Sequence, residues 1–305
     1  MLMEMNKIEI SKQILYCDDC FNIFPIIPDK SIDAIIADMP FGTTNCKWDV
    51  VLPLNDYIKV GKHFLSRNEY YLENFIHGFK KEDIDILWEN NKKHGLWYYY
   101  ERIVKDDGVI LLFAQTPFDK VLGNSNLKLL RYEWIWEKTQ ATGHLNANDM
   151  PMKAHENILV FYKKLPLYNP IMTEGHVRKV SKAKNRAACI ERRNNTDNIY
   201  NNEYSDRVND YDSTQRYPRS VIKFKTDKQT SNLHKTQKPL ALLEYLIKTY
   251  TNENDLILDN CMGSGTTNLA SLKLNRRSIG IEKDEKIFNN AHNRLNNYIS
   301  SNIVL

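Results

Sequence analysis

Short apolar runs alternate with amphipathic stretches along most of the chain. Seven runs have the length and the aliphatic content of buried β-strands, and they cover residues 14–17, 32–37, 109–113, 132–136, 157–162, 256–258 and 278–281. Three stretches predict helices, at residues 240–250, 266–274 and 284–298. The alternation predicts an α/β fold, a doubly wound and mostly parallel seven-stranded sheet with helices on both faces.

Two segments interrupt this alternation. Residues 60–93 are charged and aromatic, and we interpret them as a helical insertion packed on the domain surface. Residues 164–232 are polar and carry fourteen Lys and Arg residues against eight acidic ones, a net charge of +6 in a chain whose total is +4. Such a basic segment with interleaved tyrosines favours phosphate contact and groove reading in a nucleic acid. The alternative is a long solvated loop.

Composition places the chain among ordinary globular proteins. Its 305 residues are 42% hydrophobic and 26% charged, enough to bury a sizeable core. We find neither an apolar run of about 18 residues nor a leader, so we expect an intracellular, cytoplasmic protein that does not meet a membrane. Cys17 and Cys20 have the spacing of half a zinc site, but no second pair follows, and we expect no metal.

A glycine-rich motif, Asp-Asn-Cys-Met-Gly-Ser-Gly-Thr-Thr, occupies residues 259–267 between a predicted strand and a predicted helix. Gly263 and Gly265 let the backbone approach a ligand without a clash from a Cβ atom. Glu282 ends the following strand, at the position where a carboxylate accepts hydrogen bonds from ribose hydroxyls. The motif therefore predicts a nucleoside site, and a tight turn without a ligand is the alternative.

Three positions narrow the nucleoside class. Thr266 stands where a phosphate-binding loop needs lysine, and Asn268 stands where a dinucleotide fingerprint has a third glycine. Asp259 would repel a pyrophosphate, but its carboxylate can hold the ammonium of a methionine moiety. These positions disfavour ATP and dinucleotides.

The tetrapeptide Asp38-Met39-Pro40-Phe41 follows the predicted strand at residues 32–37. An exocyclic amine of a nucleobase is a poor nucleophile because its lone pair is delocalised into the ring. Acceptors for both N–H groups free that lone pair, and the Asp38 carboxylate and the Pro40 carbonyl are candidates. Phe41 can stack on a base flipped out of a duplex. The alternative is a strand end capped by Asp and turned by Pro.

Together the motifs resemble those of the β-class DNA amino-methyltransferases, over nearly the whole chain. The matching segments are residues 18–20, 28–33, 38–44, 234–239, 259–267 and 279–282. The resemblance implies a methyltransferase sheet, S-adenosyl-L-methionine as cofactor and Asp38, Pro40 and Phe41 as catalytic residues. It also implies cofactor binding by Asp19, Asp38, Thr236, Lys238, Asp259, Cys261, Gly263, Gly265, Thr266 and Glu282.

The resemblance further implies a domain organisation. A catalytic domain is expected at 1–163 and 233–305, and a target-recognition region at 164–232. Basic residues of that region are the candidates for DNA contact, namely Arg178, Lys179, Lys182, Lys184, Arg186, Arg192, Arg193, Arg216 and Arg219. The residues Gly42-Thr43-Thr44 and Lys47-Trp48-Asp49 are similar to a branch common in phages and prophages.

The chain departs from the family pattern at several positions. Met39 and Lys235 stand where the family usually has proline, Phe41 replaces a commoner tyrosine, and Asn260-Cys261 replace a common Pro-Phe pair. The segment at residues 60–93 has no counterpart in typical members.

The implied reaction is site-specific methylation of adenine N6 in double-stranded DNA, because Asp at position 38 favours adenine in this family. Cytosine N4 methylation by the same architecture is the alternative. An RNA or protein methyltransferase and a DNA-binding relative without catalysis also stay open. The expected partner is DNA, with a homodimer as one possible assembly, in a restriction-modification or phage setting. No restriction subunit is visible in the chain.

Overall fold

The computed structural model of the chain describes residues 6–42, 49–61, 63–184, 210–227 and 237–303. These residues form two compact units. The larger comprises the described residues of Met1–Asn169 and Ser220–Leu305, and the smaller comprises those of Pro170–Arg219.

The strands, in chain order, are β1 (Lys7–Ile10), β2 (Gln13–Cys17), β3 (Ile32–Ala37), β4 (Tyr57–Val60), β5 (His63–Ser66), β6 (Val104–Ala114), β7 (Leu130–Thr142), β8 (Lys153–Phe161), β9 (Lys179–Ser181), β10 (Tyr211–Ser213), β11 (Val221–Phe224), β12 (Leu256–Asp259) and β13 (Arg277–Glu282). The α-helices are α1 (Cys20–Ile23), α2 (Arg67–Ile76), α3 (Lys81–Asn91), α4 (Leu96–Ile103), α5 (Phe118–Ser125), α6 (Leu240–Tyr250), α7 (Thr266–Lys273) and α8 (Glu285–Ile303). Short 3-10 helices lie at Phe24–Ile26 and His144–Asn146.

One large sheet organises the larger unit. Within the described residues it has nine strands in the order β1-β2-β13-β12-β3-β6-β8-β7-β11. The pairs β1–β2, β6–β8 and β7–β8 are antiparallel, and the other neighbouring pairs are parallel. The seven predicted strands are all present, which confirms the mostly parallel α/β sheet.

The predicted count of seven strands is too low, because β1 and β11 add one strand at each edge. Both are four residues long and expose alternate positions to solvent. β1 (Lys-Ile-Glu-Ile) alternates charged and apolar residues, and β11 (Val-Ile-Lys-Phe) is interrupted by a lysine, so neither gives the continuous apolar run that predicts a central strand. Residues 221–224, predicted to lie in the recognition region, thus pair with β7 in the sheet.

Helices cover both faces of the central strands. Ile35 of β3 is buried in one core together with Tyr100 of α4, and Ile36 is buried in a second core together with Leu243 of α6. A third core joins β2 to Phe288 of α8. Alternate residues of β3 therefore face opposite layers, as expected for a strand buried on both sides.

The predicted helices match the structure closely. Helix α6 has the predicted bounds and begins directly after Pro239, whose fixed φ suits a helix start. Helix α7 ends at Lys273, one residue before the prediction, and α8 extends to Ile303.

The segment at residues 60–93 contains the end of a β-hairpin and two helices. Strands β4 and β5 pair antiparallel and lead into α2. Ser66 caps α2 through a reciprocal capping box with Glu69. Helix α3 buries Ile84 and Trp88, whereas α2 has no buried residue.

The smaller unit is held by a short antiparallel pair, β9 with β10. Arg178 donates to both carboxylate oxygens of Asp212 across this pair, at 2.7 and 2.5 Å. The backbones of Thr173 and Arg216 also exchange hydrogen bonds of 2.9 Å.

Candidate active site

The carboxyl ends of four neighbouring parallel strands meet at one edge of the sheet. Strand β2 ends at Cys17, β13 at Glu282 and β12 at Asp259, while β3 runs directly into Asp38. Strand β12 lies between β13 and β3. After β12 the chain continues to β13 on one side, whereas the next strand of the sheet after β3 is β6, on the other side. Ligands of doubly wound sheets bind at such a switch point. The structure therefore brings Asp38 and the glycine-rich motif to the same edge of the sheet.

The two carboxylate oxygens of Asp38 have different surroundings. Oδ2 lies 2.7 Å from the ammonium of Lys238. Oδ1 is shielded from solvent and has no hydrogen-bond partner among the described residues. The pKa of this carboxyl is raised, because burial and the negative Glu156 outweigh the attraction of Lys238. Asp38 thus keeps one carboxylate oxygen without a hydrogen-bond donor among the described residues.

Lys238 joins Asp38 to a second carboxylate. Its ammonium forms an ion pair of 3.1 Å with Glu156, and Glu156 pairs in turn with Lys138 at 2.5 Å. Burial lowers the pKa of Lys238, but the charges of Asp38 and Glu156 more than offset that and leave it raised. The two ammonium groups likewise lower the pKa of Glu156 despite its burial. Lys238 is therefore protonated and Glu156 ionised at neutral pH.

Aromatic rings border the same place. The Lys238 ammonium lies 5.7 Å from the centroid of Phe41 and 5.2 Å from that of Phe113, within the range of cation–π attraction. Phe41 is half-buried and stacks on Phe118 at 5.5 Å. Gly42, at φ +67°, turns the chain out of β3 and donates its N–H to Asp49 at 2.7 Å.

Two departures from the family pattern face one buried tyrosine. The hydroxyl of Tyr100 donates to Asn260 Oδ1 at 2.6 Å and lies 3.7 Å from the sulfur of Met39. Asn260, Met39 and Tyr100 are all buried. The side chains at positions 39 and 260 are therefore tied to each other through the core below the site.

Asp259 lies at the end of β12 without a cationic partner among the described residues. It accepts a hydrogen bond of 3.1 Å from the backbone N–H of Cys261. Burial raises the pKa of Asp259 to about 7, against the opposing hydrogen bonds from Thr267 and Cys261. The negative charge of Asp38 raises it further, which indicates that the two carboxylates are close enough to interact.

Glu282 supports the glycine-rich turn. Its carboxylate accepts the backbone N–H of Gly263 at 3.1 Å and that of Asp284 at 2.9 Å. Burial raises its pKa, although these hydrogen bonds oppose the shift. Gly263 has φ +52° and open space where a Cβ atom would stand. The arrangement leaves room beside a carboxylate that retains free lone pairs.

Gly265 and Thr266 form the start of α7. Gly265 has φ +69°, and a Cβ atom there would lie 3.0 Å from Ala291 of α8. Thr266 receives a hydrogen bond of 2.8 Å from Arg294, which also donates to the Ser264 carbonyl at 3.0 Å. The second glycine is thus required by helix packing as well as by backbone conformation.

Asp19 caps the short helix α1. Its carboxylate accepts the N–H of Phe21 at 3.0 Å and the ammonium of Lys283 at 2.9 Å. Cys261 is partly buried against the first core, and burial raises its pKa. Thr236 lies outside the described residues.

The structure also locates the predicted DNA-contacting residues of the smaller unit. Lys179, Lys184 and Arg219 are exposed. Lys182 is exposed but paired with Asp210 at 2.9 Å. Arg216 donates to the carbonyls of residues 177, 213 and 215, and Arg178 pairs with Asp212. Arg186, Arg192 and Arg193 lie outside the described residues. The exposed lysines and Arg219 are the most accessible of these candidates.

Sequence reasoning did not identify Glu156 and Lys138. Glu156 lies on β8 next to an apolar run that ends at Phe161, and a charge beside such a run is usually taken for an exposed strand end. Glu156 is the first of six consecutive buried positions on β8, directly before Asn157 and the apolar residues. Lys238 was predicted to bind the cofactor, and the structure places its ammonium on Asp38 instead of leaving it free.

No helix among the described residues is long and apolar enough to cross a membrane.

The sequence matches a known protein family and several characterised relatives. The model N6_N4_Mtase, described as DNA methylase, matches residues 32–293. The chain is 36% identical over 291 residues to the Type II methyltransferase M2.DpnII of Streptococcus pneumoniae, covering 93% of this chain and 90% of that protein. It is 26% identical over 304 residues to the Type II methyltransferase M1.MboII of Moraxella bovis, covering 97% and 98%.

Two solved structures share the fold. The crystal structure of the M1.HpyAVI–SAM complex matches with a TM-score of 0.52 and 22% identity, covering 92% of this chain and 98% of that one. The PvuII DNA methyltransferase, described as cytosine-N4-specific, matches with a TM-score of 0.55 and 15% identity, covering 93% and 86%.

Proposed function

This chain belongs to the N6/N4 DNA methylase family, and from that premise we propose that it transfers a methyl group from S-adenosyl-L-methionine to N6 of an adenine flipped out of double-stranded DNA. We further propose that it is a site-specific β-class enzyme of the phage and prophage type. The observation that carries the proposal is the carboxylate of Asp38, with Oδ2 held by Lys238 and Oδ1 buried without a partner among the described residues. A buried acceptor without a donor is costly and suits a ligand that brings an N–H group.

Asp38 acts on the target amine. Its Oδ1 accepts one N–H of the amine, and the backbone carbonyl of Pro40 accepts the other. These hydrogen bonds withdraw the nitrogen lone pair from the ring and direct it outward. With S-adenosylmethionine bound, transfer of its methyl group from sulfur to this nitrogen would leave one extra proton on the amine, which Asp38 Oδ1 or water would accept.

The residues of the glycine-rich edge fit the proposed cofactor. When bound, S-adenosylmethionine supplies an electrophilic methyl group on a positively charged sulfur. Asp259 is a buried carboxylate that lacks a cation among the described residues and suits the ammonium of the methionine part. Glu282 suits the ribose hydroxyls, because the space beside Gly263 is open. Asp19, Cys261 and the turn at Gly265 and Thr266 complete the proposed site.

DNA is the proposed partner. Phe41 stacks on the flipped base and offsets part of the cost of unstacking it. The basic residues of the smaller unit contact phosphates and fix the position of the enzyme on the duplex. Lys179, Lys184 and Arg219 are the exposed members of the described set.

Cytosine N4 is the second candidate. The matching family includes enzymes for both amines, and a cytosine-N4-specific enzyme shares the fold. An amine with two N–H groups is common to both bases, so the Asp38 geometry serves either one. We favour adenine because the residue at position 38 is Asp rather than Ser.

The product decides between these candidates. The purified protein is incubated with duplex DNA and isotope-labelled S-adenosylmethionine, and the DNA is digested to nucleosides for mass spectrometry. We expect N6-methyldeoxyadenosine, and none with Asp38→Asn. N4-methyldeoxycytidine would replace the first candidate by the second. Parallel reactions with RNA or protein in place of DNA test the other substrates, and label there without labelled DNA would contradict both candidates.

A further inference from the structure

A row of four charged side chains crosses the sheet next to the candidate active site. In spatial order it runs Asp38, Lys238, Glu156 and Lys138, with separations of 2.7, 3.1 and 2.5 Å. The side chains of Lys238, Glu156 and Lys138 are 9 to 11% exposed, and that of Asp38 is 26% exposed. We call this row the charge relay row, with two negative and two positive groups in alternation.

Stability alone gives little reason for such a row. Each buried charge costs several kcal/mol of desolvation, and well-packed apolar side chains often serve as well. Here the cost is met by alternation of charge and by three aromatic rings. Phe41 and Phe113 border the Lys238 ammonium, and Trp136 lies 5.3 Å from that of Lys138. Two oxygens of the row accept no hydrogen bond among the described residues: Oδ1 of Asp38, at the end of the row, and Oε2 of Glu156, which has only its ion pair with Lys238.

We propose that Glu156 is a positioning residue for methyl transfer, because it holds the Lys238 ammonium so that Lys238 contacts Oδ2 of Asp38 and leaves Oδ1 for the target amine. This inference rests on the function proposed for Asp38. It concerns a residue on β8 whose ion-pair partners among the described residues are Lys238 and Lys138.

The donor count explains why Glu156 is needed. An ammonium carries three N–H groups and binds both oxygens of a carboxylate when it has no other strong acceptor. Glu156, at 3.1 Å, draws the Lys238 ammonium away from Asp38. Lys138 in turn balances Glu156 at 2.5 Å. Without Glu156, Lys238 is free to approach Oδ1 and compete with the base.

The row also sets the charge of Asp38. The charged and titratable groups around Asp38 are Lys238 before α6, Glu156 on β8, Lys138 on β7, and Asp259 and Cys261 at the end of β12. Lys238 and Lys138 lower the pKa of Asp38, and Glu156 raises it. Loss of Glu156 therefore lowers the pKa of Asp38, whereas loss of Lys238 raises it.

Two substitutions give opposite shifts. Selective 13C labelling of Asp side chains reports the titration of Asp38, whose signal is assigned as the one missing in Asp38→Asn. We expect its midpoint to fall by about one unit in Glu156→Gln and to rise by about one unit in Lys238→Met. Lys273→Met, which removes the partner of Glu244, is the matched control and should shift nothing. If the Asp38 midpoint moved in the same direction in Glu156→Gln and Lys238→Met, the inference would be overturned.

Kinetics give the second readout. In Glu156→Gln we expect kcat for DNA methylation to fall about tenfold to a hundredfold, with the KM for S-adenosylmethionine unchanged and the acidic limb of the pH profile moved to lower pH. The acidic limb in Lys238→Met should move to higher pH. An unchanged kcat in Glu156→Gln overturns the positioning role.

A double variant separates positioning from stability. Glu156→Gln alone leaves Lys138 buried without a carboxylate, whereas Lys138→Met/Glu156→Gln removes both ends of that pair. We expect the double variant to regain most of the Tm but not the kcat. Recovery of kcat together with Tm would show a structural role and overturn the inference. Failure of the unsubstituted enzyme to methylate DNA would overturn the proposed function alone, because the Asp38 titration still decides whether Glu156 controls Asp38.

Discussion

Two carboxylates stand at the ends of neighbouring parallel strands, and their surroundings differ. Asp38, after β3, has a buried ammonium 2.7 Å away and further charges behind it. Asp259, at the end of β12, has backbone and hydroxyl donors but no cation among the described residues. The protein supplies a counter-ion, Lys238, for Asp38, and none among the described residues for Asp259.

The difference corresponds to the charges of the proposed ligands. A nucleobase amine is neutral, so the carboxylate that meets it needs its own counter-ion to stay ionised in a buried place. An amino-acid cofactor brings an ammonium, so a built-in cation beside Asp259 would compete with it. Each strand end is therefore complementary to a ligand of a different charge.

The largest effect on kcat is expected from substitution of Asp38. Asp38→Ala should lower kcat by about a thousandfold or more, because it removes the acceptor for the target amine. Binding of S-adenosylhomocysteine, measured by calorimetry, should change by less than about threefold, since Asp38 carries its own counter-ion. The exposed Asp29→Asn is the control. Loss of S-adenosylhomocysteine binding in Asp38→Ala would contradict the separate roles proposed for Asp38 and Asp259.

The next effect concerns the carboxylate without a cation. Asp259→Asn should weaken S-adenosylhomocysteine binding by about tenfold to a hundredfold, because the ligand ammonium loses its buried partner. Adenosine has no ammonium, and its binding should be nearly unchanged. Equal losses for both ligands would indicate a collapsed site and argue against the proposed contact.

The pH dependence of binding sharpens the same contrast. The pKa of Asp259 is about 7, and the ammonium ligand prefers the ionised form. S-adenosylhomocysteine affinity should therefore fall as pH drops below about 7, by up to about tenfold per pH unit. Calorimetry between pH 5.5 and 7.5 measures this slope. Adenosine binding, or binding to Asp259→Asn, should lack it, and a slope retained in Asp259→Asn would assign it to another group.

The smallest effect tests the stacking role. Phe41→Ala should lower kcat/KM more on a matched duplex than on a duplex with a mismatch at the target base, by about threefold to tenfold. The matched base must be unstacked at greater cost, and Phe41 offsets that cost. Phe75→Ala, in the exposed face of α2, is the control. Equal losses on both substrates would leave Phe41 as a core residue stacked on Phe118.

The sequence predicted the strand ends well, for a local reason. Asp38, Asp259 and Glu282 each follow a buried apolar run, and the carboxyl ends of parallel strands share one edge. Local patterns of this kind do not depend on which strands become neighbours. The same holds for Gly263 and Gly265, where the turn itself requires a positive φ.

The counter-ions could not be predicted in this way. Lys238 meets Asp38 across 200 positions of sequence, and Glu156 reaches Lys238 only because β8 joins the sheet beside β6. The order of strands, which no local pattern contains, decides these contacts. The edge strands β1 and β11 were missed because each has only four residues and lacks a continuous apolar run.

The smaller unit leaves the larger one after Asn169 and returns at Ser220. Asn169 is fixed by a hydrogen bond of 2.7 Å to the Thr249 carbonyl, and the Ser220 carbonyl accepts the N–H of Ile135 at 2.8 Å. Both anchors lie in the scaffold rather than in the segment between them. If the smaller unit also reads the DNA sequence, exchanging the residues between these two anchors would change the recognised site and leave Asp38, Asp259 and Glu282 in place.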